Sequence, residues 1–456
     1  MSSFQYHDEI QSIVSDYKPL DDNELDDYAV DGKKPGALVR PDSVDTLASL
    51  VRFASEHGLA VVPRGSGSKM AIGHALERVD LMVSLERLNR IIEHEPADQT
   101  ATIQAGIRFA DLQRQLGAQG QYVALDPSHR QTCTLGGVVA VNSSGLLRWS
   151  YGTARDMVIG ARVVQADGSV VKSGGKVVKN VAGYDLNKLY IGSLGTLGVV
   201  AEVTLKLQPL PETRQVIIGR FPFVSSVMDA AFSVLDATIM PSFLEVANPV
   251  PLAILARRAG GGFGDAGFPL IVGAIGAEET VSWQIEEAER LFHKLGAVQV
   301  NRLGGEGYEL AMEVLQEFPT GQVVPRGMLP GVVARASVAP EDIGKLYQVA
   351  EDRCQKVAMG CAMASHFGNG AVTFVFYQDQ PFDAPHLDTL DRLIKELQDK
   401  ASELGGAFVV EHAPVSLRNR IAVWGPPREE WAVMKALKQR FDPGQTLNPG
   451  RFVGGI

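Results

Sequence analysis

The sequence predicts an α+β protein in two lobes: a β-rich first lobe built round glycine loops, and a second layer of helices over an antiparallel sheet. Three observations carry this. Between Asp126 and Lys206, Gly136, Gly137, Gly145, Gly152, Gly183, Gly192, Gly195 and Gly198 interrupt runs of Val, Leu and Ile, with Thr134, Ser143, Ser144, Thr153, Ser193 and Thr196 beside them. Pro209 and Pro211 in QPLPETR then break the pattern. From Gln215 onward, strand-like and helix-like stretches alternate. A chain of 456 residues also exceeds one ordinary core and implies two or three domains.

Taken in order, residues 1–35 read as a helix and an acidic loop, DDNELDDYAVDG, packed on the domain after them. That first domain spans 36–214. In it, Asp42 or Ser43 caps a helix whose apolar face is Leu47, Leu50, Val51, Phe53 and Ala54, and Gly58 ends that helix. Val61 and Val62 form a strand that runs into the loop 63–73. Gly65, Ser66, Gly67 and Ser68 can wrap backbone donors round a pyrophosphate, with the positive charge of Arg64 or Lys69 nearby. The loop is neither GxGxxG nor a P-loop, because the spacing and the GK[ST] run are absent. One amphipathic helix, 109–116, stops at Gly117. The stretch DPSHRQTCTLGGVVAVNSSGLLRWSYGTARD reads as strand, turn and strand. Glycine tolerates positive φ and close approach, so its four clusters within about eighty residues imply a large ligand along a β-rich cradle. Residues 215–410 form the second domain, in which GGGFGDAG (260–267) is an exposed loop. The segment 411–456 is a helix and a loop that returns to the first domain.

Composition excludes several classes. A net charge of −10 opposes sequence-independent binding of nucleic acid, whose phosphates repel an acidic surface. The start, MSSFQYHDEIQSIVSDY, lacks a basic-then-apolar signal, and no stretch reaches the length of a membrane helix. Cys133, Cys354 and Cys361 are scattered, which provides neither a disulfide framework nor an iron–sulfur ligand set. The expectation is a reduced cytoplasmic protein, held at the inner face of a membrane only through a partner.

On the substrate side, His366 in SHFGNG and the pair Glu411–His412 in VVEHAP are the notable titratable groups. Arg335, alternating with Val333 and Ser337, can grip a carboxylate bidentately or form a surface ion pair, and Arg326 has the same two readings. Trp149 and Tyr151 either stack near a planar ligand or pack in a core.

The runs PRGSGS (63–68), TLGG (134–137), GYDLNKLYIGSLGTLGVV (183–200) and FDPGQTLNPGRF (441–452) resemble, in the expected order, the FAD-linked oxidases of the vanillyl-alcohol-oxidase/PCMH type. Within that group the chain is most similar to glycolate oxidase FAD-binding subunits. It resembles the E-type more than the D-type, in which a Glu stands at the position of Leu194. The resemblance covers roughly residues 36–452. It implies a two-lobed PCMH-type FAD-binding domain with an α+β cap. Arg64, Gly65, Ser66, Gly67 and Ser68 would hold the pyrophosphate. Pro127, Thr134, Gly136, Gly137, Asn142, Ser143, Gly145 and Asp156 would line the flavin and ribityl chain. Gly192, Ser193, Gly195, Gly198 and Val199 would close the adenine side, and Asn448 would approach the ring. No His lies within 63–73 and His74 falls just after it, so the FAD is expected to be non-covalent.

The resemblance further implies a divalent metal held by His366 and Glu411, with His412 as the catalytic base and Arg335 on the substrate. Thr373 stands where the second ligand His belongs, and Asn369 replaces an Asp. Two functions are implied. One is oxidation of glycolate or D-lactate, with electrons passing to an iron–sulfur subunit beside a D-type flavin subunit. The other is a non-catalytic FAD or scaffold subunit paired with a D-type catalytic chain.

Overall fold

The structure, a computed structural model, describes residues 4–176, 184–261 and 267–456. Two compact units are present. The first comprises Met1–Ser144, Tyr151–Leu210 and Pro427–Ile456, and the second Gly145–Ser150 and Pro211–Pro426. The N-terminal segment belongs to the first unit, where Ile10, Val14 and Tyr17 join the core. The chain returns to that unit at Pro427 rather than at 411, so strand Ala407–His412 stays in the second unit.

In the first unit, Ala37–Val39, Leu81–Ser84 and Val61–Arg64 form a parallel sheet with Leu81–Ser84 in the middle. Its near-continuous burial fits the apolar runs that parallel strands need. Helix Val44–Glu56 starts where Ser43 accepts a hydrogen bond from the Thr46 N–H, and it buries Leu47, Leu50 and Val51. An antiparallel sheet orders Ile91–Glu95, Thr100–Gln104, Val199–Lys206, Val158–Val164 and Val170–Gly174.

The passage read as strand, turn and strand is helical instead, with short helices at Leu135–Ala140, Arg148–Tyr151 and Ala154–Met157. Thr134 caps the first of these by accepting from Gly137 N at 3.3 Å. Thr153 and Asp156 make a reciprocal capping box on the third. Hydroxyls that resemble turn residues are therefore helix caps, and an apolar run as short as VVAV does not distinguish strand from helix by period. Gly183 and most of the loop 260–267 lie outside the described residues.

The second unit is an eight-stranded antiparallel sheet. Its order is Gln299–Gly304, Thr213–Phe221, Phe268–Gly276, Phe243–Ala247, Gly360–His366, Ala371–Gln378, Leu329–Ser337 and Ala407–His412. Alternation decides its faces. Val332, Ala334, Ala336, Phe374 and Phe376 share one core with residues of helices Val224–Leu235, Glu278–Lys294, Ile343–Lys356 and Ala384–Glu403. Each buried Phe contributes about 1.5–3 kcal/mol. The intervening residues, Arg335 and Thr373 among them, point to the opposite face. Among the described residues, no helix is long and apolar enough to cross a membrane.

A methyl group at Gly106 would lie 1.7 Å from the Leu85 carbonyl oxygen and 2.8 Å from that of Leu88. Both obstacles are backbone, so Gly106→Ala is expected to cost roughly 3 kcal/mol or more and to lower the thermal midpoint by about 6 °C or more. An unchanged melting curve would refute the close approach.

Candidate functional site

Four separated segments of the first unit meet at one cavity. Strand Val61–Arg64 leads into the 65–68 loop. The C-terminal stretch runs alongside that strand: Val61 N donates to Thr446 O at 2.7 Å, and Asn448 N donates to Val61 O at 3.0 Å. At the end of helix Leu135–Ala140, Gly192 N donates to Val139 O at 3.0 Å and Leu194 N to Ala140 O at 2.9 Å. Asn448 Nδ2 then donates to Leu194 O at 2.8 Å, joining the last two segments. The enclosed space is about 650 Å³, its open mouth included.

Of the residues singled out in the sequence, Gly65, Ser66, Gly67, Ser68, Thr134, Gly137, Ser143 and Asn448 line this cavity. The loop crosses Thr134 so closely that a Cβ on Gly65 would sit 2.0 Å from its Oγ1, and Gly67 has φ +83°. Arg64 braces the loop instead of lining it. Its guanidinium lies 4.8 Å from the centre of the Tyr28 ring and donates to Ser66 O at 3.3 Å.

The remaining candidates stand behind the wall or elsewhere. Gly136 packs on Ala105, and Gly198 on Val163 and Tyr190. Val199 is buried in its strand. Asn142 accepts from Arg155 N, Asp156 is engaged with Thr153, and the Ser193 hydroxyl donates to Tyr190 O. Gly192 and Gly195 are left-handed turn positions. Gly195 lies beside Asn448, since a Cβ there would be 3.2 Å from its Nδ2. Pro127 does not line the cavity, and Gly145 belongs to the second unit.

The site also recruits Met70, Ser128, Leu194 and Arg451, which the sequence does not single out as cavity residues. Arg451 lies within the NPGRF run, and it donates to Met70 O at 2.6 Å. Leu194 gives no signal of its place in the wall, because a leucine at φ +53° is not readable from residue type.

Asn448 provides the test of fit for a bound group. Its Oδ1 is buried without a hydrogen-bond partner, while Nδ2 is committed to Leu194 O. That commitment fixes the amide orientation, so Oδ1 is an acceptor waiting for a ligand N–H or O–H. With the glycine–serine loop and Lys69 on the same cavity, the lining suits a ligand carrying phosphates and hydrogen-bond donors.

In the second unit, Glu245 accepts from His366 Nδ1 at 2.7 Å. Burial pushes the Glu245 carboxyl above its ordinary range, and His366 and Arg148 oppose that push. Arg335 Nε lies 3.2 Å from Glu411 Oε1 but off the N–H direction, an ion pair without a formed hydrogen bond. Thr373 is directly across from Arg335 in the ladder. His366 and Glu411 are thus held by different partners. Among the described residues, no group of three or more His, Cys, Asp or Glu is placed to hold a metal. Among the described residues no third His, Cys, Asp or Glu joins His366 and Glu411, and two donors fall short of the three or four that a zinc-type site takes.

His412 sits at a bulge opposite Val333. Partial burial, helped by Arg418, lowers its pKa below the usual imidazole value of 6.5. Trp149 packs on the 367–369 turn, where a Cβ on Gly368 would meet its ring at 2.2 Å. Tyr151 packs against the core of the first unit.

A family described as "FAD binding domain" matches residues 35–174, and one described as "FAD linked oxidases, C-terminal domain" matches 210–452. The chain belongs to the FAD-linked oxidases. Glycolate oxidase subunit GlcD of Bacillus subtilis (strain 168) is 30% identical over 424 residues, which is 92% of this chain and 89% of that one. D-2-hydroxyglutarate dehydrogenase of Xanthomonas citri pv. viticola is 27% identical over 92% of this chain and 89% of its own. Among solved structures, p-cresol methylhydroxylase with substrate bound superposes with a TM-score of 0.75 at 18% identity, covering 97% of this chain and 95% of that one. This last likeness concerns the fold.

The cofactor of this FAD-linked oxidase is FAD, and the lining of the first unit's cavity is chemically suited to such a ligand. Gly65→Ala would drive a methyl group into Thr134, the cap of helix Leu135–Ala140. The variant is expected to bind FAD at least about tenfold more weakly. Fluorescence titration of flavin-free protein measures this, and unaltered affinity would refute the placement.

Proposed function

We propose that this FAD-linked oxidase oxidises the CH–OH carbon of a small 2-hydroxy acid, glycolate or D-lactate, and delivers the electrons to a separate protein. The first unit holds FAD without a covalent link, a reading supported by a cavity lined by neither His nor Tyr among the described residues. Bound FAD supplies the hydride acceptor. The second unit supplies the groups that handle the substrate. His412, kept mostly neutral at pH 7 by its lowered pKa, accepts the hydroxyl proton. Arg335 holds the substrate carboxylate in exchange for its present contact with Glu411. The observation that carries the reading is a set of charged contacts on one sheet face: His366 with Glu245, and Arg335 with Glu411. The names of the relatives, a glycolate oxidase subunit and a D-2-hydroxyglutarate dehydrogenase, point to the same substrate class. An iron–sulfur centre that takes the electrons would sit on a separate chain, because three scattered cysteines fall short of the four ligands a cluster takes.

The second reading is a non-catalytic FAD subunit beside a D-type partner. It is favoured by the separation of His366 and Glu411 onto different partners.

Anaerobic addition of glycolate or D-lactate to the isolated chain separates the two readings. Bleaching of the flavin absorbance is expected, and colour that persists until a partner is supplied would favour the second reading. His412→Ala is expected to slow bleaching by about 100-fold or more while FAD stays bound. Reduction at the unaltered rate would remove His412 as the base.

The pH dependence follows from the sign of the shift. A depressed imidazole pKa keeps the base deprotonated until the pH falls below 6.5, so kcat/KM should lose activity on the acid side of that value. His412→Gln should erase that acid limb, and a limb that persists would assign it to another group. Dialysis against a chelator is expected to leave the bleaching rate within about twofold, since a lost catalytic metal would cost far more. A large loss restored by a divalent ion would overturn the reading of His366 and Glu411.

A further inference from the structure

Helix Trp431–Phe441 carries a lysine where a surface helix would normally show one to water, yet Lys438 and Asp442 are both fully buried. The ammonium uses all three of its donors. Lys438 Nζ donates to Asp442 Oδ2 at 2.6 Å, to Leu447 O at 2.8 Å and to Thr196 O at 2.9 Å. Asp442 in turn accepts from Thr446 N and Leu447 N, each at 2.8 Å.

One side chain therefore ties together the 194–196 turn and the 446–448 stretch. These are the segments that present Leu194 and Asn448 to the cavity. Both residues sit at positive φ, +53° and +45°, a conformation that L side chains adopt only when their surroundings hold them. Thr446 and Asn448 also pair with Val61, at the start of the strand that feeds the 65–68 loop.

We propose that the buried Lys438–Asp442 pair is the positioning device of the cofactor cavity, setting the Leu194–Asn448 wall in the geometry that retains FAD. Neither residue lines the cavity, so both act through the backbone they hold. A buried ion pair contributes little net stability when its desolvation is counted, which makes specificity of geometry the better account of its presence. The inference rests on FAD as the cofactor of the first unit.

The test compares FAD affinity of flavin-free full-length chains. Lys438→Met leaves Asp442 as an unpaired buried charge and can disorder the segment. The double variant K438M/D442N removes both charges, and the amide oxygen introduced in place of the carboxylate still accepts from Thr446 N. This variant is expected to keep its far-UV circular dichroism and to bind FAD at least about tenfold more weakly than wild type. Leu397→Ala, a core cavity in the second unit, serves as the control for destabilisation and is expected to leave FAD affinity within about twofold. Wild-type affinity in the folded double variant would overturn the proposal. Failure of wild type itself to bind FAD would overturn the cofactor assignment instead.

Hydrogen exchange on wild type covers the case in which neither variant folds. FAD is expected to slow exchange at Leu194, Thr196, Leu447 and Asn448 together. Protection of one segment without the other would refute the coupling.

Discussion

Burying an ammonium group is costly unless every donor finds an acceptor, and the first unit meets that condition at Lys438. Two backbone carbonyls and one carboxylate surround the Nζ, and the carboxylate is itself held by two backbone N–H groups. Because the carbonyls come from Thr196 and Leu447, the constraint spans residues more than two hundred positions apart. The C-terminal stretch is thereby an integral part of the first unit, meeting Val61 in an isolated parallel bridge at Leu447. The cavity depends on this closure, since Asn448 reaches it only from that stretch.

Around the cavity the backbone is held in unusual conformations. Asn142, Leu194 and Asn448 all lie at positive φ within the segments that build or back its wall. Asparagine enters this region readily, but for leucine it costs about 1–2 kcal/mol. The cost is offset by the contacts that immobilise Leu194: its N–H to Ala140, its carbonyl to Asn448 and the neighbouring Thr196 carbonyl to Lys438. Rigid placement of this kind suits a cofactor that must be held in one orientation. Asn448 Oδ1, a buried acceptor without a partner, can receive a hydrogen bond from a ligand donor in the cavity.

The second unit applies a different rule. Its sheet packs one face into a helix-covered core, and the other face sets Glu245, His366, Arg335 and Glu411 among buried apolar residues such as Phe243, Val333 and Val375. Among the contacts of its carboxylates are Glu245 with His366 and Glu411 with Arg335. A guanidinium beside Glu411 supplies positive charge without a bound ion, and it lies directly across the ladder from Thr373, where the second histidine is missing.

Much of this is legible in the sequence, since periodicity and chain breaks are local properties. The α+β class, the strand before the 65–68 loop, the break near Pro209 and the alternating second region all follow from residue order. So does membership of the FAD-linked oxidases, because its loop motifs are short and contiguous. The helices at Leu135–Ala140 and Ala154–Met157 escape such a reading, because a threonine before a glycine can serve a turn or a cap until its partner N–H is located. Residue type makes Arg64 a ligand contact, although Tyr28, far away in sequence, draws it aside. Lys438 shows the limit most plainly. By sequence it is an ordinary lysine on an amphipathic helix, and only the tertiary fold brings Thr196 and Leu447 to its ammonium. Local order in the chain determines the elements and the loop chemistry. The side chains that brace the cavity are decided by contacts across long sequence separations, which no local pattern encodes.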